Sequence, residues 1–255
     1  MVLSLFRRAV SRTVAPIVRP SVPDDQCVYA IGDIHGRDDL FERLLARIDA
    51  DIASRAPAQA RIILLGDLID RGPESSQVIQ RCLDRDWGMA QPSFIAGNHE
   101  ELMLAALGGD LEALRVWRRN GGDEAMASYG VPDAVIDGGI GTDILNDLVA
   151  RVPETHIAFL NAMIDHVAIG DYWFVHAGIK PGVALDQQRP AHLRWIRGEF
   201  LDHPHPHPAI VVHGHTITST VNEQPNRIGI DTGAYASGRL TAIGLQGTER
   251  WFLTG

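Results

Sequence analysis

Cysteine is nearly missing from this chain, with only Cys27 and Cys82 in 255 residues. Two thiols cannot make a disulfide framework, and each reads as a buried free cysteine, Cys27 in a strand and Cys82 in a helix, in a reducing, cytoplasmic setting. Lysine is scarcer still, Lys180 being the single one among 23 basic residues. That bias toward arginine has no mechanistic weight. No run reaches the ~20 apolar residues of a membrane-spanning helix, so no integral membrane segment is expected. Positive charge is in deficit too. A formal net charge of −9 repels a phosphate backbone on average and argues against nucleic acid as a partner. What is present is 45% hydrophobic residues, enough for a sizeable core in one large domain.

The first 24 residues stand apart as a basic leader, their charges before Asp24 being Arg7, Arg8, Arg12 and Arg19 alone. Leu3, Phe6, Val10 and Val14 could form one apolar helical stripe. Three readings stay open for this segment: a flexible or loosely docked leader, an interfacial helix making peripheral membrane contact, or a targeting segment. A secretory signal fits poorly, because Val2 to Phe6 precede the basic residues instead of following them. Residues 25–255 read as the folded domain.

Within that domain, three short stretches follow apolar, strand-like runs. Val28 to Ile31 leads into GDIHGR (Gly32 to Arg37), Ile62 to Leu65 into GDLIDRG (Gly66 to Gly72), and Phe94 to Ala96 into GNHE (Gly97 to Glu100). The runs deliver Asp33, His35, Asp67, Asn98 and His99 to loop tips, which in an open α/β sheet lie at the carboxyl edge where ligands bind. Between them, Leu40, Phe41, Leu44, Leu45, Ile48 and Ile52 repeat at helical spacing, and Val78, Ile79 and Leu83 do the same behind Pro73. A third helix runs from His99 to Leu107 and ends at Gly108-Gly109. The first half is therefore βαβαβα with parallel strands. Residues 109–150 mix short helical patterns with glycines and read as a cap-like insertion. Beyond a helix near Pro153 to Ile164, strand candidates fall at His166 to Ile169, Trp173 to Val175, Ile210 to Val212, Arg227 to Ile230, Leu240 to Leu245 and Trp251 to Leu253. His203-Pro204-His205-Pro206-His207-Pro208 reads as an extended polar loop whose prolines keep the imidazoles from converging.

The three stretches, with VHAG (Val175 to Gly178) and GHT (Gly214 to Thr216) downstream, resemble the signature of the calcineurin-like metallophosphoesterases. Within that family they resemble the PPP-type, bacterial serine/threonine protein phosphatase branch. The resemblance covers roughly residues 27–245 and implies an α/β fold with a central β-sandwich of mixed sheets flanked by helices. It implies two divalent ions, one held by Asp33, His35 and Asp67 and the other by Asp67, Asn98, His176 and His215, with Asp67 as the bridge. Imidazole, carboxylate and amide donors together suit Mn²⁺, Fe or Zn²⁺ better than an all-oxygen cage for Mg²⁺ or Ca²⁺. A metal-bridging hydroxide attacking phosphorus directly is the chemistry so implied.

Leaving-group departure needs a proton donor, and the resemblance gives that role to His99, oriented by Asp70. Arg71 and Arg197 are the matching phosphate-binding arginines, with Arg194 close enough to be confused with Arg197. Blander readings stand beside these. Asp33 and Asp70 could cap local structure, Asn98 could open a capping box with Glu101, and Glu101 itself reads as solvent-facing. His213 competes with His215, which the Gly-His pair favours. Ile217, where nuclease and phosphodiesterase relatives carry another histidine, points to the phosphatase branch. Trp117 to Gly122 and Asp231 to Tyr235 also resemble bacterial phosphatase segments, with roles left open. The expected partners are phosphorylated proteins or peptides bearing phosphoserine or phosphothreonine, with phosphotyrosine also admissible. A dinucleoside polyphosphate hydrolase is the first rival, and a silent binding module, which would lack a ligand or an acid, the second.

Overall fold

The computed structural model describes residues 19–255, so the readings of the leader over residues 1–18 lie outside the described residues. Two five-stranded sheets form the centre. In the first, β1 (Gln26–Ile31), β2 (Gln59–Leu64) and β3 (Ala90–Phe94) pair in parallel. β9 (Thr241–Gln246) adds antiparallel to β1, and β10 (Glu249–Thr254) to β9. In the second, β5 (Tyr172–Val175), β6 (Ile210–His213) and β8 (Arg227–Gly229) run parallel, with β4 (His166–Ile169) and β7 (Asn222–Glu223) antiparallel at its edges.

The period-2 alternation of β1 explains the layering. Val28 and Ala30 point into the inter-sheet core with Ile63, Leu65, Phe174, Val212, Ile228 and Ile243. Cys27, Tyr29 and Ile31 point the other way, into a core made with the helices. Helix α1 (Asp38–Arg55) buries Leu40, Phe41, Leu44, Leu45, Ile48 and Ile52 there, starts with Asp38 and Asp39, and stops at Ala56 in a left-handed cap. Six such side chains contribute roughly 10 kcal/mol of burial, and Leu44→Ala would remove about 3 kcal/mol of it. The sandwich of mixed sheets flanked by helices is thus the expected one.

After α2 (Ser75–Asp84) and α3 (Asn98–Leu107), residues 109–151 carry α4 (Leu111–Trp117), a π-helical turn (Arg118–Gly122), α5 (Asp123–Ser128), α6 (Asp133–Gly138) and α7 (Gly141–Arg151). Then come α8 (Glu154–Asn161), α9 (Pro190–Trp195), α10 (Gly198–Leu201) and, after β8, α11 (Ala234–Ser237). Three departures from the sequence reading stand out. The third strand is Ala90–Phe94, and Ile95 makes only an isolated bridge to Ile164. Ala90 to Ser93 lacks an apolar alternation, yet the strand pairs because it is an edge, where Pro92 is tolerated. Helix α2 begins two residues after Pro73. In the His-Pro loop the rings do approach, His203 lying 5.5 Å from His205 and stacked 5.1 Å from His207 between centroids. The loop is drawn together by the Asn226 side chain, which donates to the carbonyls of His203 and His205.

Candidate metal centre

The loops after β1, β2, β3, β5 and β6 converge on one buried polar cluster. The main chain there is strained: His35, Asp67, Asp70, Arg71 and His215 have φ of 47°, 49°, 75°, 65° and 63°. Left-handed conformations at non-glycine residues cost roughly 1–3 kcal/mol each and persist where surrounding structure holds them. Two motif glycines make room for the neighbouring carboxylates. A Cβ on Gly97 would overlap Asp67 Oδ1, and one on Gly214 would overlap Asp33 Oδ1.

Asp67 Oδ2 sits at the middle, 3.4 Å from His176 Nε2, 3.6 Å from His35 Nε2 and 3.7 Å from His99 Nε2. Backbone partners fix the tautomers. His35 Nδ1–H donates to the Ile69 carbonyl at 2.8 Å, and His176 Nδ1–H to the Leu65 carbonyl at 2.9 Å. Each Nε2 lone pair is thereby left facing inward, as in metal-ligating histidines. His176 Nε2 also meets Asn98 Oδ1 at 3.1 Å and His215 Nδ1 at 3.2 Å. Possible ligand atoms form two compact trios, His35–Asp67–His99 and Asp67–His176–His215, which share Asp67. Asp33 belongs to neither trio, and its carboxylate accepts the His215 backbone N–H at 2.9 Å. His213 lies aside, Nδ1 on the Gly214 carbonyl.

Electrostatics fit a cation. Burial raises Asp33 well above the usual carboxylate range, with Asp231 and then Asp67 adding, and burial likewise raises Asp67. Burial lowers His176 to about 3, and burial together with His176 lowers His215 to about 2. Neutral imidazoles and inward-facing carboxylates are the donor set that a divalent ion takes. The orphaned Asp231 Oδ2 also fits a site with positive charge to come.

His99 is held differently. Its Nδ1–H donates to Asp70 Oδ2 at 2.5 Å, and Trp117 Nε1–H donates to the same oxygen at 2.7 Å. Burial lowers the His99 pKa, against the raising effect of Asp67. Arg71 spans the cluster, Nη1 donating to His35 Nε2 at 3.0 Å and Nη2 to His99 Nε2 at 3.1 Å. The two arginines after β5 are separated by their partners. Arg194 is tied to Asp165 at 2.7 Å and Glu101 at 3.0 Å. Arg197 is exposed, makes no ion pair among the described residues, and its charge acts on Asp67, His99, His176 and His215.

Two expectations need correction. Glu101 is not simply solvent-facing, since it accepts from Arg194 and from Trp195 Nε1 at 3.0 Å. The capping carboxylate of α3 is Glu100, which accepts the N–H of Gly97 at 2.8 Å, Asp67 at 2.9 Å and Leu68 at 2.7 Å. Glu100 thereby clamps the second and third motifs together. Sequence reasoning passed over this role, although the final letter of GNHE marked the position. Burial, with the Asp67 charge adding, pushes its carboxyl up to about 8.

The sequence profile of the calcineurin-like phosphoesterases matches residues 28–234. A symmetrical bis(5'-nucleosyl)-tetraphosphatase of Paracidovorax citrulli is 39% identical over 160 residues, covering 62% of this chain and 46% of that protein. Serine/threonine-protein phosphatase 1 of Salmonella typhimurium is 35% identical over 96 residues, 38% of this chain and 39% of that one. Matches to several of the tetraphosphatases span as little as 26% of their length, so the chain covers less than half of these curated relatives. Among solved structures, one described as a proposed diadenosine tetraphosphatase superposes with a TM-score of 0.62 at 21% identity, covering 93% of this chain and 99% of that one. A cold-active protein tyrosine phosphatase gives 0.55 at 20% identity, covering 91% and 81%. These two likenesses establish the fold alone. With the profile spanning most of its length, the chain belongs to the calcineurin-like phosphoesterase family.

Proposed function

We propose that this metallophosphoesterase is a cytoplasmic phosphoprotein phosphatase acting on phosphoserine and phosphothreonine, with phosphotyrosine admitted. The observation that carries the reading is the His99–Asp70–Trp117 chain. A serine or threonine alkoxide leaves only if protonated as the P–O bond breaks, whereas a phosphoanhydride releases a far better leaving group. An imidazole held against a buried carboxylate that is itself fixed by an indole N–H is suited to that proton transfer. Asp33, His35 and Asp67 would hold one divalent ion and Asp67, Asn98, His176 and His215 the other, Mn²⁺ being favoured over Fe or Zn²⁺. Bound there, the ions supply positive charge to the phosphoryl oxygens and lower the pKa of water. Arg71 and Arg197 grip the phosphoryl group with forked donors, and Glu100 and Asp231 support the loops. Free, buried Cys27 and Cys82 accord with a reducing compartment.

A second reading, hydrolysis of dinucleoside polyphosphates, is favoured by the longer match to the Paracidovorax tetraphosphatase. Manganese-dependent turnover of a phosphothreonine peptide, a phosphotyrosine peptide and diadenosine tetraphosphate decides between them. Faster turnover of the phosphothreonine peptide is expected. A strong preference for the dinucleotide would replace this reading by the second.

A further inference from the structure

Beside Arg71 the surface dips into a cavity of about 320 Å³ lined by Arg71, Arg119, Asn120, Gly121, Glu124 and Tyr235. The π-helical turn builds its floor. Gly121, at φ 99°, accepts the Arg71 backbone N–H through its carbonyl at 2.9 Å, and the Asn120 carbonyl accepts Arg71 Nε at 3.3 Å. The turn therefore fixes Arg119 relative to the guanidinium that reaches His35 and His99. Two consecutive arginines in this turn have different fates. Arg118 is locked by Asp123 and by the Ile136 carbonyl, each at 2.7 Å. Arg119 is exposed, and its side chain makes no hydrogen bond or ion pair among the described residues. The Tyr235 ring forms the facing wall, 5.0 Å from the Arg71 guanidinium and edge-on to His35 at 5.5 Å. Glu124 supplies the single opposing charge of the lining.

We propose that this cavity is a second-anion subsite. In it Arg119 binds a negatively charged group that the substrate carries next to the phosphoryl group gripped by Arg71, with Tyr235 as the wall and Glu124 setting an upper limit on affinity. The inference rests on the phosphoesterase substrate reading above. A chain with net charge −9 repels acidic ligands at long range, so an unpaired guanidinium beside the reacting centre gives such a ligand local charge compensation. The anion can come from an acidic side chain flanking a phosphoresidue or from the next phosphoryl of a polyphosphate.

Calorimetric titration of the manganese-loaded protein tests this with three hydrolysis-resistant probes. These are a phosphonate-bearing threonine-type peptide flanked by aspartates, its asparagine counterpart, and a methylene-bridged diadenosine tetraphosphate analogue. The wild type should bind at least one doubly anionic probe more tightly than the asparagine peptide. Arg119→Gln should remove that advantage, about three- to tenfold, and leave the asparagine peptide unchanged, while Glu124→Gln should tighten the anionic probe. An advantage for the aspartate peptide identifies the protein source, and one for the dinucleotide the nucleotide source. Equal binding of all probes, or an Arg119→Gln loss shared by the asparagine peptide, overturns the subsite and leaves the phosphatase reading standing. No binding of any probe overturns both.

Discussion

Where α1 ends, Asp51 accepts hydrogen bonds from Tyr29 Oη at 2.7 Å, Trp251 Nε1 at 2.9 Å and Arg55 Nε at 3.2 Å, and Arg55 lies 3.4 Å above the Trp251 ring. Where α1 begins, the motif loops bring Asp67 within 3.4–3.7 Å of three imidazole nitrogens, two of them in rings whose Nδ1–H is held by a backbone carbonyl. Roughly 27 Å separate the two ends along an 18-residue helix. Both clusters are built from carboxylates and aromatic rings. One finds every donor inside the chain, so it contributes stability. The other sets its carboxylate among imidazoles, two of which Arg71 reaches, so it stores a demand for positive charge that the chain meets only in part.

The two ends of α1 should differ most at Asp67. Asp67→Asn should lower phosphate release at least about ten-thousandfold, because both proposed ion positions lose their shared carboxylate, while the thermal stability of the metal-free protein should not fall. A melting temperature that collapsed with activity would mean that Asp67 is structural. His99→Asn should cut turnover of alkyl phosphates about five hundredfold and that of aryl phosphates less than tenfold, while manganese binding is retained. Equal losses on both substrates would count against proton donation.

Acid sharpens the contrast through His213, which burial pushes down to about 4 and which faces no carboxylate. Its folded pKa lies below the unfolded value of about 6.5, so the unfolded chain takes up a proton first as pH falls. The associated stability is present above about pH 6.5 and lost on the way down to about pH 4. The stability difference between wild type and His213→Gln should therefore shift against the wild type by about 3 kcal/mol between pH 7 and pH 4. Denaturant melts at both pH values check this, and an unchanged difference refutes it. At the satisfied end, Asp51→Ala should cost about 2 kcal/mol and leave kcat within about twofold, the mirror image of Asp67→Asn.

Much of this was legible beforehand because motif and periodicity are local. The β1 alternation, the apolar stripe of α1 and the glycine-bounded loops put Asp33, His35, Asp67, Asn98 and His99 on the right edge of the right sheet. What escaped depended on distant partners. Glu100 reads as an ordinary helix acid until the Asp67 and Leu68 amides arrive from another loop. Nothing in Leu193-Arg194-Trp195-Ile196-Arg197 says which arginine Asp165 and Glu101 will claim. Helices α10 and α11 have four residues each, too few for a period to register. Strand β3 is defined by its edge pairing with β2 rather than by its own alternation.

The shared-carboxylate claim is tested most directly by manganese titration followed by electron paramagnetic resonance, on wild type and Asp67→Asn. Two ions per wild-type chain with an exchange-coupled spectrum are expected, and at most one uncoupled ion after the substitution. Two uncoupled ions in the wild type, or an unaltered coupled pair in Asp67→Asn, would contradict it.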